Sequence, residues 1–181
     1  MTHHILLGAL SVVIAFVAYY IYFKQILSRQ VFPHPFSWII WGLVQSIAFT
    51  AQYIKQGGAG SWVTAFTGIA CFGIATLGFF YTEKTVIAKI DWAFLSLALI
   101  AILLWVLTKE PTLSVILLVL TDALGTIFTL RKTYLNPYKE SASVFGLSGI
   151  KSAIAVLALE SFSLATWLYP SSLILTNGLV V

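Results

Sequence analysis

The chain has 181 residues, of which 60% are hydrophobic and only 9% are charged, and its mean hydropathy is +0.97. A soluble domain carries about 25% charged residues, so this composition excludes an ordinary water-facing surface and indicates a membrane protein. The net charge of +4 does not indicate nucleic acid binding, because the basic residues fall mostly in short loops between apolar segments. The first expected partner is therefore the lipid bilayer.

Seven apolar segments are long enough for transmembrane helices, since a helix needs about 20 residues to cross the hydrocarbon core. They cover residues 5–23, 37–54, 61–81, 90–107, 111–130, 143–159 and 162–180. Turn residues such as Pro33 and Gly57 separate them. The weakest separation follows Glu160, and without it the count falls to six. The predicted fold class is all-α, a polytopic membrane protein with seven transmembrane helices.

Basic residues predict the orientation of these helices. With seven helices, one side of the membrane holds Lys24, Arg29, Lys84, Lys89, Arg131, Lys132 and Lys139 in its loops. The other side holds only Lys55 and Lys109. Cytoplasmic loops carry the excess of Lys and Arg, which places the N-terminus outside and the C-terminus in the cytoplasm. The first segment has no basic region before it and no small-residue cleavage site after it, so we interpret it as a retained helix.

The chain shows a weak internal repeat. A shift of 106 residues places Ser37 on Ser143 and Gln45 on Lys151. Three helices before the fourth segment and three after it then have the same orientation, which is a common plan for small transporters. The predicted arrangement is 3+1+3, with a first three-helix repeat at 1–82, a linker helix at 83–110 and a second three-helix repeat at 111–181.

Two strings carry a family resemblance. Residues 20–25 (YIYFKQ) and 125–132 (GTIFTLRK) are each followed by a short loop and a helix that begins with serine. This pattern resembles the SWEET and PQ-loop superfamily of transporters, although neither string contains that family's Pro-Gln pair. The strings PHPFSWIIWGL and RKTYLNPYKES are similar to those of uncharacterised bacterial inner-membrane proteins distantly related to that superfamily. The resemblance implies an inner-membrane location and a small-molecule substrate held between the repeats at mid-membrane.

Asp122 and Lys151 lie inside apolar segments, where ionisable residues are costly and usually mark a pathway or a binding site. With a rise of 1.5 Å per residue, both side chains are expected at the same depth, and they pair if their helices are neighbours. Two interpretations remain open. The pair lines a transport cavity that responds to protons, or it is a static ion pair that holds the second repeat together.

Polar and aromatic residues of other segments complete the predicted site. Gln45 shares a helix face with Trp38 and Trp41, and an amide beside aromatic rings is typical of a pocket wall for a sugar, an amino acid or a heterocycle. Trp38 lies at the segment end and fits the interfacial aromatic belt, whereas Trp41, one turn deeper, fits the pocket. The resemblance implies an asparagine on the third helix of each repeat. The second half offers Asn177, and the first half offers only Thr64, Thr67 or Thr76. The predicted substrate-binding residues are Trp41, Gln45, Asp122, Lys151 and Asn177.

The sequence contains no P-loop, dinucleotide fingerprint, zinc-spaced cluster or nucleophile elbow, so no enzyme activity, metal or cofactor is predicted. Pro170 in the last segment is expected to leave a backbone carbonyl free. The predicted function is a small-solute transporter, passive or proton-coupled, that rocks one repeat against the other. The alternative is a non-transporting receptor or assembly partner with the same fold. A homo-oligomer is compatible with both.

The orientation gives a first testable prediction. The Lys and Arg excess places residues 131–141 in the cytoplasm and residues 55–60 outside. Green fluorescent protein fused at residues 131–141 should therefore fluoresce, and alkaline phosphatase fused at residues 55–60 should be active. The two reporters exchanged between these positions should be inactive. Finding both loops on the same side contradicts the assignment of the segments between them.

Overall fold

The structure is a computed structural model that describes residues 2–31, 33, 35–81, 89–135 and 142–181. These ranges form an all-α fold without strands. The seven α-helices are α1 (Thr2–Leu27), α2 (Pro35–Ile54), α3 (Trp62–Tyr81), α4 (Lys89–Thr108), α5 (Pro111–Leu135), α6 (Ala142–Leu157) and α7 (Leu164–Val180). A short 3₁₀ helix at Gly58–Ser61 precedes α3.

Local sequence signals explain several helix ends. Pro35 and Pro111 begin α2 and α5, because a proline at the first helical position loses no hydrogen bond. The break after Glu160 is present, since α6 ends at Leu157 and α7 begins only at Leu164. Ser163 caps α7 in a capping box, and its backbone N–H donates to Thr166 Oγ1 at 2.8 Å. The helix count is therefore seven rather than six within the described ranges.

Two sets of three helices share one packing order. In the first helix set (α1 to α3), α3 packs against both α1 and α2. In the second helix set (α5 to α7), α7 packs against both α5 and α6. The sets meet where α1 packs against α6 and where α2 packs against α5 and α7, while α4 contacts α5 and α2. The third helix of each set thus lies between the other two.

The bundle has an apolar core that also contains several polar residues, and it exposes many large apolar side chains. Its buried polar side chains include Gln45, Gln52, Thr64, Thr67, Lys151, Ser152 and Thr166. Its exposed apolar side chains include Leu6, Phe16, Ile69, Phe80, Leu120 and Leu175. Two described segments, Thr2–Leu27 and Gly58–Tyr81, are long and apolar enough to cross a membrane, and Trp38–Ile54, Pro111–Ala123 and Ala142–Leu157 are shorter apolar helices. Buried polar groups are the informative part of this pattern, since scattered exposed apolar residues are common in any protein.

One end of the bundle, which we call the Gly57 end, is tightly packed. The 3₁₀ helix Gly58–Ser61 lies there between α1 and α6, and Gly58 is close to the side chain of Glu160. The backbone N–H of Glu160 donates to the carbonyl oxygen of Gly57 at 3.2 Å. A Cβ atom placed on Gly60 lies only 2.6 Å from the carbonyl oxygen of Ala155. This end therefore joins the two helix sets through backbone contacts that larger side chains cannot enter.

The close approach at Gly60 predicts a selective loss of stability. Gly60→Ala should lower the free energy of unfolding by about 1–3 kcal/mol, because the added methyl group overpacks against the backbone of α6. Gly178→Ala is the matched control, since no atom lies within 4 Å of a Cβ at that position. Thermal unfolding of the purified protein in detergent measures both variants. Equal melting temperatures contradict the packing described for the Gly57 end.

Candidate functional site

A small cavity lies between α2, α3, α6 and α7, and we call it the Lys151 cavity. It is lined by Gln45, Val63, Thr64, Thr67, Lys151, Ser152, Ala155, Pro170 and Leu173. It encloses about 10 Å³, which is about the space that one water molecule requires. Two of the predicted site residues, Gln45 and Lys151, therefore meet at one cavity that both helix sets build.

The ammonium group of Lys151 is the central polar feature of this cavity. The residue is only 3% exposed, and its Nζ donates a hydrogen bond of 2.6 Å to Thr67 Oγ1 of α3. The same nitrogen lies 5.1 Å from the ring centroid of Tyr19 on α1, within cation–π range. A lysine of the second helix set is thus held by side chains of the first.

Asp122 does not pair with Lys151, so the sequence-based expectation of a direct pair is wrong. The carboxylate lies on α5, half-buried, and forms no ion pair with any side chain that the structure describes. The physical reason is the packing order, because α7 lies between α5 and α6 and keeps the two charges apart.

Trp41 and Asn177 lie outside the residues that line the Lys151 cavity. The Trp41 ring packs edge-on against Trp38 at 5.1 Å between centroids, and Trp38 also contacts Tyr22 at 5.2 Å. Asn177 Nδ2 donates to the backbone carbonyl of Leu173, one helical turn earlier, at 2.7 Å. Trp41 therefore belongs to an aromatic cluster, and the side chain of Asn177 is hydrogen-bonded to the backbone of its own helix. Their roles as substrate contacts stay predictions.

Sequence reasoning missed Tyr19 as part of the site. Tyr19 is not among the predicted substrate-binding residues, yet it is buried beside Lys151. A signal was available, because Gly8, Ser11, Ala15 and Ala18 form a stripe of small residues at helical spacing, and all are buried. Such a stripe indicates the face that a partner helix covers, and Tyr19 lies beside it.

A second polar contact joins the two helix sets near the Gly57 end. Pro170 has no N–H, so the carbonyl of Thr166, four residues earlier in α7, lacks its usual helical partner. The fully buried Gln52 of α2 fills this place, and its Nε2 donates to Thr166 O at 3.1 Å. Pro170 does remove the helical partner of this carbonyl, as expected from the sequence. A side chain of the first helix set binds the carbonyl instead.

Related positions of the two helix sets line the same cavity. Gln45 and Lys151 are 106 residues apart (151 − 45) and both line it. The same separation relates Thr64 to Pro170 (170 − 64) and Thr67 to Leu173 (173 − 67). This is the shift of the internal repeat that the sequence predicts. Six of the nine lining residues therefore form three related pairs.

The Lys151 contacts predict a specific energetic coupling. Thr67→Val should lower the free energy of unfolding by about 1–3 kcal/mol, because it removes the hydroxyl that accepts the hydrogen bond from the buried ammonium. The same substitution should cost much less in a Lys151→Met background, where no ammonium is left without a partner. A double-mutant cycle on the purified protein measures this coupling. The control is the cycle of Asp122→Asn with Lys151→Met, and a larger coupling there contradicts the described geometry.

Comparisons of the chain with protein-family models, with curated proteins and with solved structures find no match. The feature of the described residues that bears most on function is the cavity beside the buried Lys151, between two helix sets of the same packing order.

Proposed function

We propose that this chain is a small-solute membrane transporter whose substrate site is the Lys151 cavity, between two three-helix repeats. The observation that carries the proposal is the position of Lys151. Its ammonium is buried beside a cavity that both helix sets line, and its described contacts lie on the opposite set. An ionisable side chain at that depth is costly and usually faces a substrate pathway.

A membrane-spanning arrangement of all seven helices accounts for the distribution of polar residues. Large apolar side chains cover the outside, as hydrocarbon requires, and glutamine, threonine and lysine side chains lie inside. Such a bundle in water would expose its apolar surface and bury its polar groups, which costs free energy on both counts. In a bilayer the same pattern is favourable. The segments Thr2–Leu27 and Gly58–Tyr81 support this reading most directly by their length and composition.

The 3+1+3 plan is supported by two independent observations. The third helix lies between the other two in both helix sets, which is expected if the sets are copies of one unit. The three pairs of lining residues that are 106 positions apart place the Lys151 cavity at equivalent points of the two sets. A substrate site at the interface of internal repeats is common in secondary transporters. The helix α4 then serves as the linker.

The contacts at the Gly57 end support an alternating-access mechanism. Gln52 Nε2 binds Thr166 O, Glu160 N binds Gly57 O, and Lys55 Nζ lies 3.9 Å from Glu110 Oε1. Each contact joins a residue before α4 to one after it, and in the proposed mechanism these contacts keep this end of the bundle closed. The basic-residue distribution predicts that this end faces outward. Rocking one helix set against the other would break these few polar contacts and leave each set intact.

The transport proposal predicts a separation of binding from folding at Gln45. The residue is 6% exposed and lines the cavity, and the described residues offer its amide no hydrogen-bond partner. Gln45→Leu should therefore abolish the rise in melting temperature that a bound solute causes, while the melting temperature without solute changes little. The matched control Gln30→Leu changes an exposed glutamine and should keep the full response. A thermal-shift screen against carboxylates, sugars, amino acids and nucleosides measures these effects.

Uptake into proteoliposomes then separates a transporter from a receptor of the same fold. A transporter accumulates the stabilising solute, and Gln45→Leu does not. If the solute binds through Gln45 but never enters the vesicles, the chain is a receptor and the transport proposal is wrong. If Gln45→Leu binds and transports like the unchanged protein, the Lys151 cavity is not the substrate site.

A further inference from the structure

We infer that the Lys151 cavity binds the carboxylate of a small monovalent organic acid, so that the transported solute is a short-chain monocarboxylate. This inference rests on the proposed transport function and names the substrate class of that site. The inference is based on the side chains that surround the ammonium group of Lys151. The described side chains offer it the hydroxyl of Thr67 and the ring of Tyr19, but no carboxylate.

The charge of the site selects a monovalent anion. A buried cation is costly unless an anion compensates it, and neutral acceptors satisfy its hydrogen bonds without compensating the charge. Asp122 does not compensate it, because it lies on α5 and does not line the cavity. A solute carboxylate supplies the missing negative charge. A dicarboxylate would leave its second charge uncompensated, and a cationic solute would be repelled by Lys151.

The lining of the cavity fits a carboxylate with a short hydrocarbon group. Beside the ammonium, the amide of Gln45 and the hydroxyl of Thr64 are available as donors to carboxylate oxygens. Ser152 already donates to Ser148 O at 2.8 Å, so it serves only as an acceptor. Val63, Ala155 and Leu173 form an apolar wall on which a sugar would find no partners for its hydroxyl groups.

The size of the cavity links binding to movement. With about 10 Å³, it is too small for a carboxylate group in this closed form. Entry of the solute requires α6 and α7 to move away from α2 and α3, which also separates Lys151 from Thr67. A solute oxygen then replaces the Thr67 hydroxyl as the acceptor for the ammonium. Thr67 therefore accepts the hydrogen bond of the Lys151 ammonium in the empty, closed form of the cavity.

Thermal unfolding of the purified protein tests the anion site. Sodium acetate and sodium propionate should raise the melting temperature relative to sodium chloride at equal ionic strength, while glycerol should not. Lys151→Gln should lose this response and Lys151→Arg should keep part of it, because arginine retains the charge. An equal effect of chloride overturns the carboxylate assignment in favour of an inorganic anion. If Lys151→Gln fails to fold, saturable uptake of pyruvate by the unchanged protein, inhibited by acetate and not by succinate, still decides the matter.

Uptake of radiolabelled pyruvate into proteoliposomes tests transport. Pyruvic acid is a stronger acid than acetic acid, so less of it is in the neutral form that leaks through lipid. The unchanged protein should show saturable uptake that acetate inhibits and that succinate and glycerol do not. Lys151→Gln should reduce the rate about tenfold or more, because a charge-assisted hydrogen bond is lost. The matched control Lys109→Gln changes a lysine in the loop before α5 and should leave the rate unchanged.

The two proposals fail in different ways. If glycerol or another neutral solute enters saturably and Lys151→Gln does not affect it, transport stands and the carboxylate inference is overturned. If acetate stabilises the protein through Lys151 but no solute enters the vesicles, the anion site stands and transport is wrong. If carboxylates neither stabilise the protein nor enter, the inference is wrong whatever else is transported.

Discussion

The buried ammonium of Lys151 is the constraint on which the interior depends. A charge in an apolar environment needs hydrogen-bond acceptors and polarisable neighbours, and α6 alone provides none for it. The neighbours that the structure describes are Thr67 of α3 and Tyr19 of α1. The lysine therefore ties the second helix set to the first and makes their interface polar where bundles usually place leucine or isoleucine. In the proposed transport mechanism, this polar interface is the one that separates when the site opens.

A backbone requirement creates the second link between the helix sets. Pro170 removes one hydrogen bond from α7, and an unpaired carbonyl inside an apolar bundle is costly. Gln52 of α2 supplies the donor, which explains why a glutamine is fully buried there. The described residues give its Oε1 no partner, so the amide serves only the carbonyl of Thr166. The proline and the glutamine thus belong together, although 118 residues separate them in the sequence (170 − 52).

The positions of the helices along the chain were largely predictable from the sequence, whereas the packing of the helices against one another was not. Apolar length and turn residues gave all seven helices, including the weakly marked break after Glu160. The ends of α1 and α5 were wrong by several residues, because both helices continue past the apolar segment into polar sequence. Gln45 and Lys151 stood out as polar residues in apolar segments, and both line the cavity. Asp122 stood out equally, but depth along a helix does not reveal which helix lies beside it. The pairing of Asp122 with Lys151 failed for that reason alone.

The two helix sets share a packing order but differ in the residues that line the Lys151 cavity. At the three related pairs of positions, the first set has Gln45, Thr64 and Thr67, and the second has Lys151, Pro170 and Leu173. At these three pairs of positions, the first set is neutral and hydrogen bonding, and the second set combines a single charge with apolar surface. Apolar cover also comes from Val63 of the first set and from Ala155 of the second. The charge is therefore the feature that makes the cavity asymmetric, and in the proposed site it directs the negative group of a solute towards the second set. If the sets arose by duplication, their shared plan accounts for the position of the cavity, and the difference between Gln45 and Lys151 accounts for its direction.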